Sequence, residues 1–274
     1  MLRAPDPILV LDLFPNERRE LLGLLGALPA DAWSLPSMAG EWTVKDIAAH
    51  LVGDDLGRLS RQRDGHRESR DADEDLKTYI DRRNAEWVMS MRRISPRVIR
   101  SLLAFGGNES QEFFATEDPF ALGSPVSWAG PDPAPNWLDL AREFTERWHH
   151  QQQIRDAVGA PSLDDPRFLK PVLATFAFAL KRPYLGVDAP EGTTVGLVVE
   201  GPSGGEWTIA RTAPGWELLM GHTETPTASA RMNEDTAWRM YVRAFSRTEV
   251  EDRSSFVGDA GLAGHLLDAF ALVS

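Results

Sequence analysis

The chain has 274 residues, of which 42% are hydrophobic and 26% charged, so a disordered or fibrous protein is disfavoured. A net charge of −12 makes nucleic acid and anionic membranes poor partners, because both favour clustered Lys and Arg. The absence of cysteine excludes disulfides, thiolate ligands and a cysteine nucleophile. Since domains of roughly 100–150 residues are commonest, the length favours two domains.

The apolar run at residues 8–14 is interrupted by Asp12, and no small-residue cleavage site follows it. A signal peptide is therefore not predicted. Nowhere do about 18 apolar residues run unbroken, so no transmembrane helix is predicted either. A cytoplasmic location is the expectation.

The first half of the chain predicts helices separated by loops. Residues 16–28 form the first predicted helix, with Asn16 as its cap. A second helix begins at Thr43, where Asp46 completes the Ser/Thr-x-x-Asp/Glu pattern of a capping box. Residues 61–75 carry mixed charges, which indicates a solvated loop or a frayed helix end.

Two further helices are predicted over residues 76–93 and 96–103. The second of them has Ser95 as its N-cap and Pro at its first position. Residues 106–135 are rich in Pro, Gly and Ser, which predicts an irregular loop. Long loops of this kind often border functional sites.

A long helix is predicted from Trp137 to Val158. Asn136 opens it, and Gly159 ends it in the way that helix C-termini favour. One more helical stretch is predicted over residues 166–181, with a break at Pro171 as one alternative.

From Thr193 the hydrophobic period changes to two, which predicts short strands in an antiparallel meander. The predicted strands are TTVGLVVEG, EWTIAR, WELLM and TASARM. Asn233 predicts the cap of a helix through Phe245, SSFVG a last strand, and Asp259 the cap of a terminal helix through Phe270. The second domain is therefore predicted to be α+β.

Glu146 and His150 stand four residues apart in the long helix, so one ion could bind both side chains. His50 is the histidine in another predicted helix of the first half. Two nitrogens and one carboxylate with an open position suit Zn²⁺, and Ni²⁺, Fe²⁺ or Mn²⁺ would also fit. Spacing alone leaves a solvated helix face as the alternative. The opposite, apolar face carries Trp137, Ala141, Phe144 and Trp148.

Neighbouring polar residues have simpler interpretations. His149 adjoins His150 but lies about 100° round the helix, so we interpret it as a surface or loop contact. Asp54, one turn past His50, is either an extra ligand or a solvated acid, and the second is favoured. Exposed or structural roles are predicted for His66, His222 and His265. Candidates to bind a substrate carboxylate, none of them assigned, are Arg82, Arg83, Arg239 and Arg243.

Two segments resemble the metal-bearing segments of the DinB-like four-helix bundle superfamily, in particular the N-terminal domain of mycothiol-dependent maleylpyruvate isomerases. They are EWTVKDIAAHLVGDDLGRL and TERWHHQQQIRDAVG. In that family a Trp-Thr-Val entry opens a helix that ends in a ligand histidine, and a later glutamate and histidine precede Ala-x-Gly. The matching residues here are Trp42, Thr43, Val44, His50, Glu146, His150, Ala157 and Gly159. The resemblance implies that His50, Glu146 and His150 bind a divalent metal.

The C-terminal segments WTIAR, MNEDTAWRMYVRAF and FVGDAGLAGHLL resemble the sterol-carrier-like α+β domain of the same isomerases. The implied architecture is a DinB-like four-helix bundle in residues 1–162 and a small α+β domain with an antiparallel sheet in residues 163–274. Trp42 is expected to pack near the metal. Glutamines at 151–153 depart from the family pattern and indicate that a supporting carboxylate is missing.

The resemblance implies an enzyme, an isomerase or transferase, in which the metal activates the thiol of mycothiol or a similar small thiol. Addition of the thiolate to a maleylpyruvate-like diacid, bond rotation and elimination would give cis–trans isomerisation. The alternatives are a hydrolase that uses activated water and a non-enzymatic small-ligand-binding protein with a structural metal. The expected partners are a small-molecule substrate and the thiol, in a monomer or homodimer, and no catalytic residue is assigned.

Overall fold

A computed structural model describes residues 1–66 and 73–271. The α-helices are α1 Phe14–Ala27, α2 Val44–Arg58, α3 Leu76–Met91, α4 Pro96–Phe114, α5 Asn136–Val158, α6 Pro166–Phe176, α7 Glu234–Tyr241, α8 Arg247–Asp252 and α9 Ala260–His265. The strands are β1 Thr194–Glu200, β2 Gly205–Thr212, β3 Gly215–Met220, β4 Ala228–Asn233 and β5 Ser255–Gly258. Helices thus precede a sheet, which confirms a helical region followed by an α+β region. No helix in the described ranges is long and apolar enough to cross a membrane.

The chain forms two compact units. The helical unit comprises Val10–Asp118 and Glu146–Leu163. The α+β unit comprises Met1–Leu9, Pro119–Thr145 and the described residues from Asp164 to Ala271. These units are defined by spatial contacts and interleave along the sequence, so a domain boundary at residue 162 stays a prediction.

The helical unit is built on α2, which packs against α3 and α4. Its apolar core is formed by buried side chains from several helices. The core includes Leu21, Leu25, Val44, Ile47, Leu51, Ile99, Leu103 and Ile154. Burial of these side chains stabilises the unit by roughly 1.5–3 kcal/mol for each large one. The core therefore fixes the helices that carry the polar residues described below.

The capping box predicted at the start of α2 is confirmed. The Thr43 hydroxyl accepts a hydrogen bond from the Asp46 N–H at 3.3 Å, and the Thr43 N–H donates to the Asp46 carboxylate at 3.0 Å. Both bonds use backbone groups that a helix N-terminus otherwise leaves unpaired. After α2, residues Leu59–Arg63 form a π-helical turn, so the predicted loop is helical at its start. Within that predicted loop, residues 67–72 lie outside the described residues.

The prediction that Asn16 caps the first helix was wrong. The helix begins two residues earlier, at Phe14, and Pro15 occupies its first turn. Proline there supplies a fixed φ and loses no helical hydrogen bond, which favours an earlier start. The Asn16 amide instead donates to the Asp12 carbonyl at 3.1 Å.

The fourth helix is much longer than predicted, and the loop prediction for residues 106–114 was wrong. The helix runs to Phe114 because its buried face continues at Gly106, Ser110 and Phe114. Its two glycines were read as loop residues, but they lie where neighbouring helices approach closely. A Cβ on Gly106 would meet the Asp55 Cβ at 2.9 Å, and one on Gly107 would meet Arg18 at 3.1 Å. Close packing has therefore outweighed helix propensity here.

These contacts predict opposite effects for two Gly→Ala substitutions. At Gly106, a methyl group would overpack the contact with Asp55 and lower the free energy of unfolding by about 1–3 kcal/mol. At exposed Gly23 on α1, nothing lies within 4 Å of the added Cβ. Alanine there should raise the free energy of unfolding by about 0.5–1 kcal/mol through helix propensity. Urea unfolding of both variants measures the two values, and stabilisation by Gly106→Ala would contradict the close-approach interpretation.

The long helix α5 begins at Asn136 as predicted and ends at Val158. Gly159 follows with φ 65°, the left-handed conformation that glycine adopts readily at a helix end. The next predicted helix spans Pro166–Phe176 and continues as a 3₁₀ segment, Ala177–Tyr184. Pro171 lies inside α6 without ending it.

The α+β unit contains a five-stranded sheet in the order β3-β2-β1-β4-β5. Three neighbouring strand pairs are antiparallel, but β1 and β4 are parallel, with Leu197 opposite Ala230. The predicted simple meander was therefore wrong at β4. The period-two pattern predicts which residues form strands. The order of the strands in the sheet depends instead on which strand β4 pairs with after the chain leaves β3. A mostly antiparallel sheet is nevertheless confirmed.

The last helices start at the predicted caps but end early. Asn233 accepts a hydrogen bond from the Thr236 N–H, and Asp259 accepts one from the Leu262 N–H. The first of these helices stops at Tyr241, four residues before the predicted Phe245. Beyond it, Arg243 has φ 54°, a left-handed backbone that cannot continue a helix.

Candidate functional site

Two histidine rings from different helices lie against each other in the helical unit. The His50 ring on α2 and the His150 ring on α5 have centroids 4.6 Å apart and meet edge to face at 78°. Both residues are buried, with relative exposures of 6% and 9%. The structure thus brings together two histidines that are a hundred residues apart in the sequence.

His50 is held by one aromatic and one acidic neighbour. The Trp42 ring lies 4.9 Å from the His50 ring, measured between centroids. One turn further along α2, an Asp54 carboxylate oxygen lies 3.1 Å from the His50 Nε2. Asp54 was interpreted as an extra ligand or a solvated acid, the second being favoured. Its side chain is 31% exposed and its carboxylate lies beside the buried ring, and both alternatives stay predictions.

His150 is flanked by the other predicted ligand and by a glutamine. Its Nε2 lies 3.6 Å from the Glu146 carboxylate, and its Nδ1 lies 2.8 Å from the Gln153 Oε1. Burial lowers the pKa of His150 to about 4, although the hydrogen bond to Gln153 acts in the opposite direction. The ring is therefore neutral at pH 7. With its proton on Nδ1 toward Gln153, the Nε2 lone pair faces the carboxylate.

Gln153 supplies His150 with a hydrogen-bond acceptor, although the supporting carboxylate was expected to be missing. Metal-bound histidines usually donate their second ring N–H to a carboxylate, a carbonyl or water, which fixes the ring orientation. An amide oxygen accepts the same hydrogen bond. Gln153 can thus accept the hydrogen bond that a carboxylate would accept, but it carries no negative charge.

His149 was interpreted as a surface or loop contact. It is buried at 3% exposure, so the first of these alternatives was wrong. Its ring lies 5.1 Å from the His150 ring, and its Nδ1 has no hydrogen-bond partner within the described structure. Burial lowers the pKa of His149 well below its usual value, and the adjacent His150 lowers it further. A neutral imidazole therefore extends the histidine pair along α5.

The face of α5 that carries Glu146 and His150 is not a solvated one, because the Glu146 side chain is 19% exposed and His150 9%. A neighbouring row of polar side chains, Arg147, Gln151 and Arg155, is buried as well, and we call it the polar stripe. Arg147, Gln151 and Arg155 have exposures of 2%, 0% and 8%. Arg147 pairs with Asp55, Gln151 donates to Glu17, and Arg155 donates to the Pro161 carbonyl. Burial of so many polar groups is tolerated because they bond to one another or to the backbone.

The donor chemistry of this region fits a divalent ion. Each of the two adjoining imidazoles has one carboxylate beside it, Asp54 at His50 and Glu146 at His150. At His150 two electron-rich atoms, Nε2 and a Glu146 oxygen, face each other. A cation between them would be attracted to both. As the side chains stand, the described residues contain no group of three or more His, Asp or Glu arranged to hold a metal ion. The assignment of His50, Glu146 and His150 as ligands therefore stays a prediction.

The remaining candidates have structural surroundings. His66 is exposed, His222 lies beside Glu206, and the His265 ring packs on Tyr184. Of the arginine candidates, Arg82 pairs with Glu74 and Glu86, and Arg239 pairs with Asp235. The other two lie over rings, Arg83 over Tyr79 and Arg243 over Phe270. These contacts account for each side chain without a substrate.

A buried group of charges beside the histidines was missed by the sequence analysis. Arg18, Asp55 and Arg147 form ion pairs inside the helical unit, and Glu17 lies next to them. Burial raises the pKa of Glu17, whereas the neighbouring Arg18 and Arg147 act to lower it. Charged residues on helices are usually exposed, so the sequence offered no signal for this group.

Comparison with known proteins supports an assignment to one family. Residues 14–155, just over half of the chain, match the model of the mycothiol maleylpyruvate isomerase N-terminal domain. A search of curated protein sequences gave no significant match.

Two similar solved structures are crystal structures of the mycothiol-dependent maleylpyruvate isomerase and of a histidine-to-alanine mutant of it. The first has a TM-score of 0.53 at 15% identity and the mutant 0.51 at 14%. In both comparisons the similarity covers 84% of this chain and 86% of the other. Identity this low establishes likeness of fold alone. The family match over residues 14–155 goes further, and the chain belongs to the mycothiol maleylpyruvate isomerase family, a family of enzymes.

Proposed function

We propose that this protein is a metal- and thiol-dependent isomerase that acts on a small maleylpyruvate-like electrophile. The observation that carries the proposal is the apposition of His50 and His150, with Glu146 beside them, inside the segment that matches the family. The thiol would be mycothiol or a similar small thiol, by likeness to the family, and the chain itself carries no cysteine. A cytoplasmic location and a monomeric or homodimeric state stay predictions.

In this proposal His50, Glu146 and His150 hold a divalent ion, with Zn²⁺ the best match to two imidazoles and one carboxylate. When bound, such an ion supplies a Lewis acid that favours the thiolate form of a coordinated thiol at neutral pH. Gln153 orients the His150 ring, and the Trp42 ring packs against His50 and limits its rotation. Burial of both histidines keeps bulk water away from the ligand atoms.

The test is an assay of cis–trans isomerisation of maleylpyruvate by the purified protein. Four conditions are compared, with and without the small thiol, and with and without prior removal of metal by a chelator. The proposal expects activity when both are present and loss when either is omitted. Metal-dependent hydrolysis of the substrate without the thiol, with no isomer formed, would favour a hydrolase that uses activated water. Binding of ligands without turnover in any condition would favour the non-enzymatic alternative.

Glu146→Gln is expected to weaken metal binding without abolishing it. The amide keeps one oxygen near the His150 Nε2, but it removes the negative charge that attracts the ion. The dissociation constant for Zn²⁺, measured by competition with a chelator, should lie between those of the wild type and of His150→Ala. Metal loss equal to that of His150→Ala would contradict this ranking.

A further inference from the structure

Neighbouring residues on α2 and on α5 point in two directions from the histidine pair. Successive helix residues differ by about 100° in direction. On α2, Asp54 faces His50, while the next residue, Asp55, is fully buried. On α5, Glu146 faces His150, while the next residue, Arg147, is buried at 2% exposure.

The two buried residues, Asp55 and Arg147, form an ion pair with each other. An Arg147 Nη2–Asp55 Oδ1 ion pair of 2.7 Å joins α5 to α2. Arg18 on α1 grips the same carboxylate with two bonds, of 2.7 and 3.1 Å, and also donates to the Leu103 carbonyl on α4. We call Arg18, Asp55 and Arg147 the buried clamp. The clamp connects α1, α2, α4 and α5. Arg147 directly follows the proposed ligand Glu146 on α5, and Asp55 directly follows Asp54, the partner of His50, on α2.

Two glycines of α4 leave space for the buried clamp. Gly106 and Gly107 lie in the middle of α4, where each glycine costs about 1 kcal/mol of helix stability relative to alanine. A Cβ on Gly106 would meet Asp55, and a Cβ on Gly107 would meet Arg18. Removal of two side chains from a helix interior thus makes room for two members of the clamp.

Stability alone gives little reason for such an arrangement. Desolvation of buried charges offsets most of their attraction, and apolar side chains of similar volume often stabilise a protein equally well or better. A clamp does have one property that an apolar cluster lacks. Its fork-shaped bonds are satisfied at one spacing and one rotation of the helices, whereas apolar contacts tolerate sliding.

We propose that the buried clamp is a positioning device for the metal site. It sets the spacing and rotation of α2 against α5 so that the His50 and His150 rings meet at 4.6 Å. Arg18, Asp55 and Arg147 are positioning residues, because each acts through the helices and touches none of the three proposed ligands in the contacts described above. The inference rests on the proposed function, since it requires that the histidine pair binds a metal.

The decisive variant separates positioning from stability. In the triple variant Arg18→Met/Asp55→Leu/Arg147→Met, apolar side chains of similar size replace all three charges. The buried Glu17 beside them loses two cationic neighbours, which raises its pKa further and favours its neutral form, and it keeps its hydrogen bond from Gln151. Asp55→Asn is the milder companion, because it keeps the shape but weakens both ion pairs. The matched control is Arg92→Met, which removes an ion pair of 2.9 Å with Asp46 at the other end of α2.

Zn²⁺ affinity is measured by chelator competition for the four proteins, together with urea unfolding of the metal-free forms. Visible absorption of bound Co²⁺ reports the coordination geometry. The inference expects affinity about 10–100-fold weaker in the triple variant and an altered Co²⁺ spectrum, with the fold retained. Asp55→Asn should lie between the triple variant and the wild type, and Arg92→Met should match the wild type.

Two outcomes overturn the inference in different ways. A folded triple variant or Asp55→Asn protein that binds Zn²⁺ as tightly as the wild type, with the same Co²⁺ spectrum, refutes the clamp's role and leaves the proposed function standing. A wild-type protein that binds no divalent metal refutes the proposed function, and the inference fails with it.

Discussion

Replacement of His50 or His150 by Ala is expected to remove the bound metal from a protein that still folds. Each residue would supply one of three ligands, and a site reduced to one nitrogen and one carboxylate holds a divalent ion too weakly to survive purification. Metal content should fall from about one ion per chain to nearly none. Elemental analysis of purified protein measures the content, and circular dichroism checks that the helices remain.

The control for this prediction is His222→Ala. The His222 side chain is 53% exposed and lies beside Glu206. It belongs to the α+β unit, whereas the histidine pair belongs to the helical unit. Its loss should leave the metal content unchanged. Unaltered metal in both His50→Ala and His150→Ala would refute the ligand assignment, even if activity were lost.

Local signals in the sequence were sufficient for much of the fold. The capping box at Thr43, the opening of α5 at Asn136 and the left-handed Gly159 each depend on a few neighbouring residues, and the structure confirms them. Features that depend on distant contacts were predicted wrongly. The continuation of α4 through Gly106 requires α2 beside it, and the parallel pairing of β4 requires knowledge of where the chain returns.

The candidate site shows the same division. Spacing placed Glu146 and His150 on one face, and His50 was the histidine available in another predicted helix. The resemblance assigned all three as ligands, and the structure places His50 against His150. The burial of the residues around the histidine pair could not be predicted, because polar residues such as His149 and Arg147 are typical of a solvated helix face. Only the packing of α5 against its neighbouring helices, as in the Arg147–Asp55 ion pair to α2, shows that these polar side chains lie inside. The sequence therefore indicated candidate ligands but not the groups that support them.

The apolar face of α5 leads to the second large prediction, which concerns stability. Trp148 lies between Glu146 and His150 in the sequence, belongs to the predicted apolar face of the helix, and is completely buried. Its indole N–H donates to the Leu163 carbonyl at 2.9 Å. Trp148→Ala should lower the free energy of unfolding by about 3–5 kcal/mol, because it removes a large buried ring and leaves a cavity. Urea unfolding of the metal-free protein measures this change.

A graded pair of controls separates packing from the hydrogen bond. Trp148→Phe keeps an aromatic ring but leaves the Leu163 carbonyl without its donor, so it should destabilise the protein less than Trp148→Ala does. Phe120→Ala removes an aromatic ring that is 61% exposed and should change the free energy of unfolding by less than about 0.5 kcal/mol. A loss below about 1 kcal/mol in Trp148→Ala would mean that the core closes around the cavity. The polar stripe of α5 would then not depend on its apolar face for its position.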